Sequence, residues 1–275
     1  DAAFQGKRRE LVAEDVAYPI KRFLDPQNHS PYAFFFEGKI PGLDALGEEA
    51  KKSGKFDYDK KISGFEIPDP YTLRIKLKDP DYTFSQMLAF AETSIVAREV
   101  VEMYGDESNF HPVGTGPYML DKYVRSSKIF LKANPDYRKE LWDFKPGADP
   151  RDKEIVARMK GRQIPAIGNV QISIVEETQA RMLAFENGET DIEYQLWDVS
   201  TRFMSEDNKL LPEYTKKGIR LDRIVDPEIT YTFMNTLDQV GGQPNPVGGF
   251  SKERIALRRA IAMAYNLADQ IKIIR

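Results

Sequence analysis

A strand, a helix and a second strand follow one another closely between residues 170 and 195, and this order constrains the fold more than any other feature. The sequence predicts a strand from Val170 to Val175, a helix from Thr178 to Glu186 and a second strand from Asp191 to Gln195. The Asn187-Gly188 pair stops the helix, because glycine adopts the left-handed conformation that ends helices. Strands joined by such a helix are parallel, with a right-handed crossover. The sequence therefore predicts an α/β lobe.

The residues before this unit show helical and extended patterns in turn. Apolar residues from Val12 to Phe23 recur at helical spacing, and a second helix is predicted from Gly42 to Ser53, with charged residues on its outer face. From Leu73 to Lys78 apolar and basic residues alternate, which is typical of a half-buried strand. Helical spacing returns from Phe84 to Tyr104, and a hairpin is predicted from Tyr118 to Ala133.

The remaining segments combine irregular connections with further elements. Residues 141–168 are rich in proline, glycine and charge, which predicts an irregular connection anchored by Trp142. After residue 199 the sequence predicts a polar helix at 200–217 and two strands, at 218–224 and 229–235. A flexible bridge with the sequence GGQPNPVGG is predicted at 241–249, followed by an amphipathic helix capped by Ser251.

Composition and charge limit the class of protein. The 275 residues are 41% hydrophobic and 30% charged, which is the range of folded globular domains. The 40 basic and 43 acidic side chains are dispersed and give a net charge of −3, so nucleic acid is not expected as a partner. The chain has no cysteine, which excludes disulfides and thiolate chemistry. No apolar run approaches the roughly 18 residues that a spanning helix needs, so the protein is not expected to span a membrane.

Candidate catalytic and metal-binding groups are sparse. The histidines, His29 and His111, lie beside loop prolines without an acidic or cysteine partner at ligand spacing, so no metal is expected. The sequence has no nucleophile elbow, phosphate loop or dinucleotide fingerprint. The acidic pairs Glu14-Asp15 and Glu176-Glu177 suit helix N-termini, where carboxylates complement the helix dipole, better than acid–base catalysis. Neither a cofactor nor an enzymatic activity is expected.

Four separated stretches resemble, in order, landmarks of one protein family. They are ELVAEDVAYPIKRFLDP at 10–26, HPVGTGPYMLDKY at 111–123, ANPDYR at 133–138 and FSKERIALRRAIAMAYN at 250–266. All four resemble the extracellular solute-binding proteins of family 5, which bind oligopeptides and dipeptides for ABC transporters. The segment FQGKRRELVAEDV at 4–16 resembles the middle of a longer family motif, and the last helix resembles the first helix of a further lobe, so the chain is expected to be an internal fragment.

The resemblance implies a type II periplasmic-binding-protein-like fold. In this fold an α/β lobe with a mixed sheet and flanking helices is joined to a small α+β accessory domain. The accessory domain is expected at 1–108, truncated at its N-terminus, and a portion of the first lobe at 109–226. Residues 227–275 are expected to hold the hinge strand and the first helix of a second lobe, truncated at its C-terminus.

A solute-binding cleft between two lobes is also implied by the resemblance. The segment YTFMN at 231–235 resembles the strand that crosses between the lobes, and period-two geometry places Tyr231 and Phe233 on one face of it. Because the cleft lies at the ligand edge of the sheet, three further candidates are expected just after the second predicted strand: Gln195, Trp197 and Asp198.

Tyr32 is the candidate ligand contact from the accessory domain. It lies in HSPYAFF, which resembles the segment that peptide-binding relatives present toward the cleft. The alternative is that Tyr32 packs in an aromatic cluster with Phe34, Phe35 and Phe36.

The resemblance implies that the complete protein captures a peptide or peptide-sized solute and delivers it to an ABC-type inner-membrane permease. A periplasmic or extracellular location is expected on the same basis. The same fold could serve a sugar, an opine, haem or a nickel complex. Two other classes stay open: a secreted hydrolase, which would need a carboxylate with a strongly raised pKa in a cleft, and a protein-interaction or chaperone module that docks through an exposed run from Phe34 to Phe36.

Overall fold

The computed structural model describes residues 1–223 and 231–274. Within the chain, two compact units are distinguished, Asp1–Ile174 and Val175–Arg275. The division into three parts that the family resemblance implies, at residues 108/109 and 226/227, remains a prediction.

The first unit alternates helices with short antiparallel strands. Its helices are α1 (Ala13–Phe23), α2 (Leu43–Ser53), α3 (Phe84–Met87), α4 (Arg98–Tyr104) and α5 (Pro150–Met159). Its strands are β1 (Phe65–Asp69), β2 (Thr72–Ile75), β3 (Tyr118–Val124), β4 (Lys128–Ala133), β5 (Glu140–Leu141), β6 (Gln163–Ile164) and β7 (Asn169–Ser173).

Helices α1 and α2 confirm the predictions for residues 12–23 and 42–53. At the start of α1 the carboxylate of Asp15 accepts a hydrogen bond of 2.7 Å from the amide of Val12, so this carboxylate caps the helix. Helix α2 lies between Gly42 and Gly54, whose φ angles of 86° and 73° are in the left-handed region that favours glycine.

The core of the first unit is built around Phe36. This side chain is fully buried, together with Ile40 and Leu43. Its ring centroid lies 5.0 Å from that of Phe23 on α1 and 6.2 Å from that of Phe84 on α3. Burial of a large apolar side chain contributes about 1.5–3 kcal/mol, so this cluster is the main source of stability in the unit.

The expectation of an exposed aromatic run from Phe34 to Phe36 is wrong for two of its three members. Phe35 is 7% exposed and Phe36 is 0% exposed, whereas Phe34 is 61% exposed. The reason is that a 3-10 turn at Ala33–Phe35 directs successive side chains to different sides. Docking of a protein partner through the whole run is therefore not available.

A half-buried strand is confirmed in the hairpin of β1 and β2, which pair in antiparallel fashion. Side chains alternate between half-buried and exposed from Leu73 to Lys78, although the strand itself ends at Ile75. The helical spacing from Phe84 to Tyr104 corresponds to two short helices, α3 and α4, separated by a 3-10 turn at Ala91–Thr93.

The largest sheet of the first unit has the strand order β3-β4-β7. The hairpin predicted from Tyr118 to Ala133 is confirmed as β3 and β4. Strand β7, predicted at 170–175, pairs with β4 in antiparallel fashion, with Lys128 opposite Ser173. The predicted parallel pairing is therefore wrong for β7, because its sheet neighbour is β4 and not a strand that follows α6.

Residues 138–168 form a small ordered module, so the prediction of an irregular connection is wrong here. Strands β5 and β6 pair, and α5 connects them. The side chain of Asp149 caps α5 by accepting a hydrogen bond of 2.8 Å from the Arg151 amide, and Pro150 occupies the first turn. The backbone of Trp142 takes part in this pairing: its amide donates to the carbonyl of Arg162 (2.8 Å), and its carbonyl accepts from the amide of Gly161 (3.0 Å). Its ring centroid lies 5.0 Å from that of Phe144, and the anchoring of the segment by this side chain stays a prediction.

Helices are the main regular elements of the second unit within the residues that the structure describes. Its elements are α6 (Thr178–Glu186), α7 (Pro212–Lys216), β8 (Gln239–Val240), β9 (Gln243–Pro244), α8 (Lys252–Ala264) and α9 (Leu267–Ile274). Helix α6 has the predicted bounds, and Gly188 ends it with a φ of 75°. Ser251 caps α8 as predicted, because its hydroxyl accepts a hydrogen bond from the Arg254 amide.

Several extended and helical predictions for the second unit are wrong. Residues 192–196 form no strand, because Gln195 has a left-handed φ of 56° and the carbonyls of Tyr194 and Gln195 accept hydrogen bonds from a side chain instead of a strand. The single helix predicted at 200–217 is replaced by a 3-10 helix, a turn closed by a bridge between Met204 and Leu210, and α7. No strand forms at 218–223 or 231–235, and the rest of those two predicted strands lies outside the described residues.

The segment predicted to be a flexible bridge, 241–249, is held by hydrogen bonds around Asn245. This buried side chain donates to the carbonyls of Asn235 (2.8 Å) and Leu237 (2.9 Å) and accepts from the amide of Val247 (3.2 Å). The guanidinium of Arg258 on α8 donates to the carbonyls of Val247 and Gly249. The loop is therefore ordered, contrary to expectation. Across residues 1–223 and 231–274, no helix has both the length and the apolar character that crossing a membrane requires.

Candidate functional site

The segment from Gln195 to Asp198 emerges from α6 through an irregular turn. Gln195 and Asp198 are exposed, and Trp197 is the first residue of a 3-10 helix, Trp197–Arg202. The left-handed backbone at Gln195 sharply changes the chain direction just before this helix. Three of the predicted ligand contacts therefore follow one another closely in one short segment, although the side chain of Trp197 lies outside the part of the chain that the structure describes.

Arg181 on α6 holds the start of this stretch. Its Nη1 donates to the carbonyl of Tyr194 and its Nη2 to the carbonyl of Gln195, each at 3.3 Å. A carboxylate oxygen of Glu193 lies 4.0 Å from Nη1. The side chain of Arg181 is 20% exposed. Sequence reasoning did not identify this residue, because nothing in the local pattern distinguishes it from other arginines on helices.

The far end of the 3-10 helix is fixed to α6 and α7. Glu186 accepts hydrogen bonds from the hydroxyl of Tyr214 and from the guanidinium of Arg202, the latter at 2.6 Å. The hydrogen bond from Tyr214 lowers the pKa of Glu186, and burial raises the pKa of Tyr214, with a further rise from the Glu186 carboxylate. Val199 within the 3-10 helix and Phe203 directly after it are also buried. The helix that begins at Trp197 is therefore held in place by packing as well as by hydrogen bonds.

Tyr231 and Phe233 form an exposed aromatic pair. Their side chains are 75% and 78% exposed, and their ring centroids lie 6.5 Å apart. The predicted neighbourhood of the two rings is present although residues 231–235 form no strand. Among the described residues, no hydrogen bond is found between either ring and the side chain of Gln195 or Asp198.

Tyr32 lies in the first unit at the edge of an aromatic cluster. Its ring centroid is 5.5 Å from that of the buried Phe35 and 6.5 Å from that of Phe34. Phe90, which sequence reasoning did not identify, packs on Phe35 from another direction at 5.2 Å and is 52% exposed. Tyr32 thus packs in the cluster and also keeps 36% of its surface exposed.

A polar cleft of about 500 Å³ also lies in the first unit, between α1, α4 and the β1–β2 hairpin. Its arginines are already paired: Arg9 binds Asp15 at 2.6 Å and Glu99 at 2.7 Å. The hydrogen bond from Arg9 lowers the pKa of Glu99. Arg98 in the same cleft binds two carboxylates in the same way. The cleft is therefore an ion-pair network that joins α1 to α4.

A buried lysine also lines this cleft. Lys21 is 7% exposed, and its ammonium donates to the carbonyls of Tyr58 (2.6 Å) and Lys60 (3.0 Å). Burial lowers its pKa below the ordinary value. A hydrolase would need a carboxylate whose pKa is raised, whereas every resolved carboxylate shift among the described residues is downward, as at Asp59 and Glu99. The described residues also contain no cluster of three or more acidic, histidine or cysteine side chains that could hold a metal.

Comparison with known proteins identifies the chain's relatives. The family model described as bacterial extracellular solute-binding proteins, family 5 Middle, matches residues 6–274. The glutathione-binding protein GsiB of Escherichia coli O1:K1 / APEC is 36% identical over 95 residues, which cover 34% of this chain and 19% of GsiB. GsiB of Shigella dysenteriae serotype 1 shows the same identity over the same length.

One solved structure shares the fold. OppA of Haemophilus influenzae, in complex with RPPGFSPFR, superposes with a TM-score of 0.51 and 19% identity, over 76% of this chain and 34% of OppA. The chain spans 19% of the curated relatives' length and 34% of this structure's length. The likeness confirms the α/β, periplasmic-binding-protein-like fold. Because the family model covers nearly the whole chain, this protein belongs to the bacterial extracellular solute-binding proteins of family 5.

Proposed function

We propose that the protein is the substrate-binding component of an ABC importer and that it captures a peptide or peptide-sized solute. The observation that carries this proposal is the family match over residues 6–274. Its 36%-identical relatives are glutathione-binding proteins, and glutathione is a solute of this size and kind. In this role the protein acts in the periplasm or outside the cell, delivers its solute to a permease and catalyses no reaction.

Aromatic side chains and backbone groups are suited to a peptide solute. The rings of Tyr231 and Phe233 expose apolar surface to water. Stacking of a peptide side chain on these rings would bury that surface, which favours binding. Gln195 and Asp198 offer an amide and a carboxylate to the amide groups and the ammonium of a peptide. Tyr32, in the first unit, is a separate candidate contact for a peptide. In the complete protein, binding would stabilise the closed form that a permease recognises.

Replacement of Tyr231 by alanine in the full-length protein is expected to weaken the binding of a short peptide by about tenfold, since a ligand-stacking ring contributes on the order of 1–2 kcal/mol. Phe233→Ala is expected to have a similar effect. Titration calorimetry with glutathione and with trialanine measures both. Because both rings are exposed in the free protein, neither substitution should lower the Tm appreciably.

Tyr82→Ala is the matched control, because Tyr82 is 95% exposed and lies outside the proposed site. Its affinity for the peptides should equal that of the wild-type protein. Unchanged affinity in Tyr231→Ala and Phe233→Ala, alongside measurable wild-type binding, would remove these two residues from the site.

A further inference from the structure

We infer that Arg181 is a positioning residue for solute binding: it fixes the backbone at Tyr194 and Gln195 so that the segment from Gln195 to Asp198 is presented to the solute. The inference rests on the proposed function, since that segment is part of the proposed binding site. Arg181 itself does not contact the solute in this account, because its guanidinium is engaged with the protein backbone.

Arg181 contacts the backbone through both ends of its guanidinium. The two terminal nitrogens of Arg181 each donate to one of two consecutive carbonyls, those of Tyr194 and Gln195, at 3.3 Å. The planar fork of a guanidinium can bind two neighbouring acceptors at once, and here it orients the two peptide groups on either side of the Gln195 Cα. A donor with one nitrogen does not present two N–H groups in this fixed geometry.

The contact is made at a residue with an unusual backbone conformation. Gln195 has a φ of 56°, in a region that residues other than glycine rarely adopt, and such a conformation persists only where surrounding contacts enforce it. Residues 192–196 pair with no strand in the part of the chain that the structure describes. The sheet hydrogen bonds that would otherwise hold this segment are therefore replaced by the two from Arg181.

Charge pairing does not account for an arginine at position 181. The carboxylate of Glu193 is 4.0 Å away, at the outer limit of an ion pair, and a lysine would supply the same charge. The Nε of Arg181 is buried without a hydrogen-bond acceptor among the described residues. In the orientation that reaches both carbonyls, the side chain leaves its Nε without an acceptor in the part of the chain that the structure describes. The geometry therefore favours hydrogen bonding to the backbone as the role of Arg181.

Arg181→Lys tests the inference in the full-length protein, because lysine keeps the positive charge beside Glu193 but has one nitrogen in place of two. Titration calorimetry with glutathione and trialanine is expected to show about tenfold weaker binding, as follows from the loss of one or two hydrogen bonds that order the site. The Tm is expected to stay within about 2 °C of the wild-type value. Amide hydrogen exchange at residues 195–199 is expected to become several-fold faster.

Arg259→Lys is the control, since Arg259 is an exposed arginine on α8 outside the proposed site. It should change neither affinity nor exchange. Arg181→Met, which removes both the fork and the charge beside Glu193, should weaken binding more than Arg181→Lys and should also lower the Tm.

Two results would overturn the inference. In one, Arg181→Lys binds the peptides as tightly as the wild-type protein. In the other, its affinity falls only together with a large loss of Tm, which would make Arg181 a general structural residue. If the wild-type protein binds neither peptide, the proposed function fails for these solutes. Hydrogen exchange still tests whether Arg181 fixes the backbone: unchanged exchange at residues 195–199 in Arg181→Lys contradicts this role, and faster exchange supports it.

Discussion

Replacement of Phe36 by alanine is expected to lower the free energy of unfolding of the first unit by about 3–5 kcal/mol. Phe36 is 0% exposed, and its ring packs against Phe23 at 5.0 Å and Phe84 at 6.2 Å. Its truncation removes apolar surface from the core and leaves a cavity that the surrounding rings fill only in part. An effect of this size is a large share of the total stability of a domain.

Urea denaturation followed by circular dichroism measures this loss, and Phe34→Ala is the matched control. Phe34 lies two residues away in the same aromatic run but is 61% exposed, so its truncation should change the free energy of unfolding by less than about 1 kcal/mol. Equal losses in the two variants would contradict the division of this run into buried and exposed members.

The Asn245→Asp substitution is expected to open the loop at 235–249 at a cost of about 2–4 kcal/mol. The amide nitrogen of Asn245 donates to the carbonyls of Asn235 and Leu237, and the side chain is buried. Aspartate has no amide donor, and its ionised carboxylate would face two carbonyl oxygens that repel it. The loop must therefore open to water, or the carboxyl must bind a proton, and either change costs free energy.

Amide hydrogen exchange measures the opening of this loop. The amides of Val247 and Gly249, which donate within the loop at 3.2 Å and 2.7 Å, should exchange roughly a hundredfold faster in the variant. Asn235→Asp is the control, because the exposed Asn235 side chain only accepts a hydrogen bond, from the Leu237 amide, and aspartate accepts it equally well. Similar exchange in both variants would show that Asn245 does not organise the loop.

Helices whose signals are local could be predicted from the sequence. Helix α6 begins at Thr178 and ends at Glu186 as predicted. Both of its signals, the apolar spacing and the Asn187-Gly188 stop, lie in the segment itself or directly after it. Helices α1 and α2 and the hairpin of β3 and β4 are confirmed for the same reason. The module at 138–168 also contains a local helix-start signal, an N-cap aspartate followed by proline at Asp149-Pro150. The many prolines and glycines around it favoured the prediction of an irregular connection instead.

The strand predicted from Asp191 to Gln195 shows where local pattern is insufficient. Ile192 and Tyr194 alternate with polar residues, as in a half-buried strand, yet both are largely exposed, at 83% and 69%. No sheet face covers them, and the contact that sets this backbone comes from Arg181, more than ten residues earlier in the chain. A period-two pattern gives no information on such a contact.

The candidate site was partly predictable. Period-two spacing predicted that Tyr231 and Phe233 share a face, and their rings are adjacent, although no strand forms there. Arg181 and Phe90 could not be identified, because each gains its place only through tertiary contacts with residues distant in sequence.

Mass spectrometry of the solute that co-purifies with the full-length protein after export tests the central claim most directly. The account predicts that denaturation releases short peptides or glutathione-like solutes, and that adding them back to the stripped protein raises its Tm. Release of a sugar, an opine, haem or a metal chelate, or turnover of an added peptide into fragments, would contradict the assignment of this protein as a receptor for peptide-sized solutes.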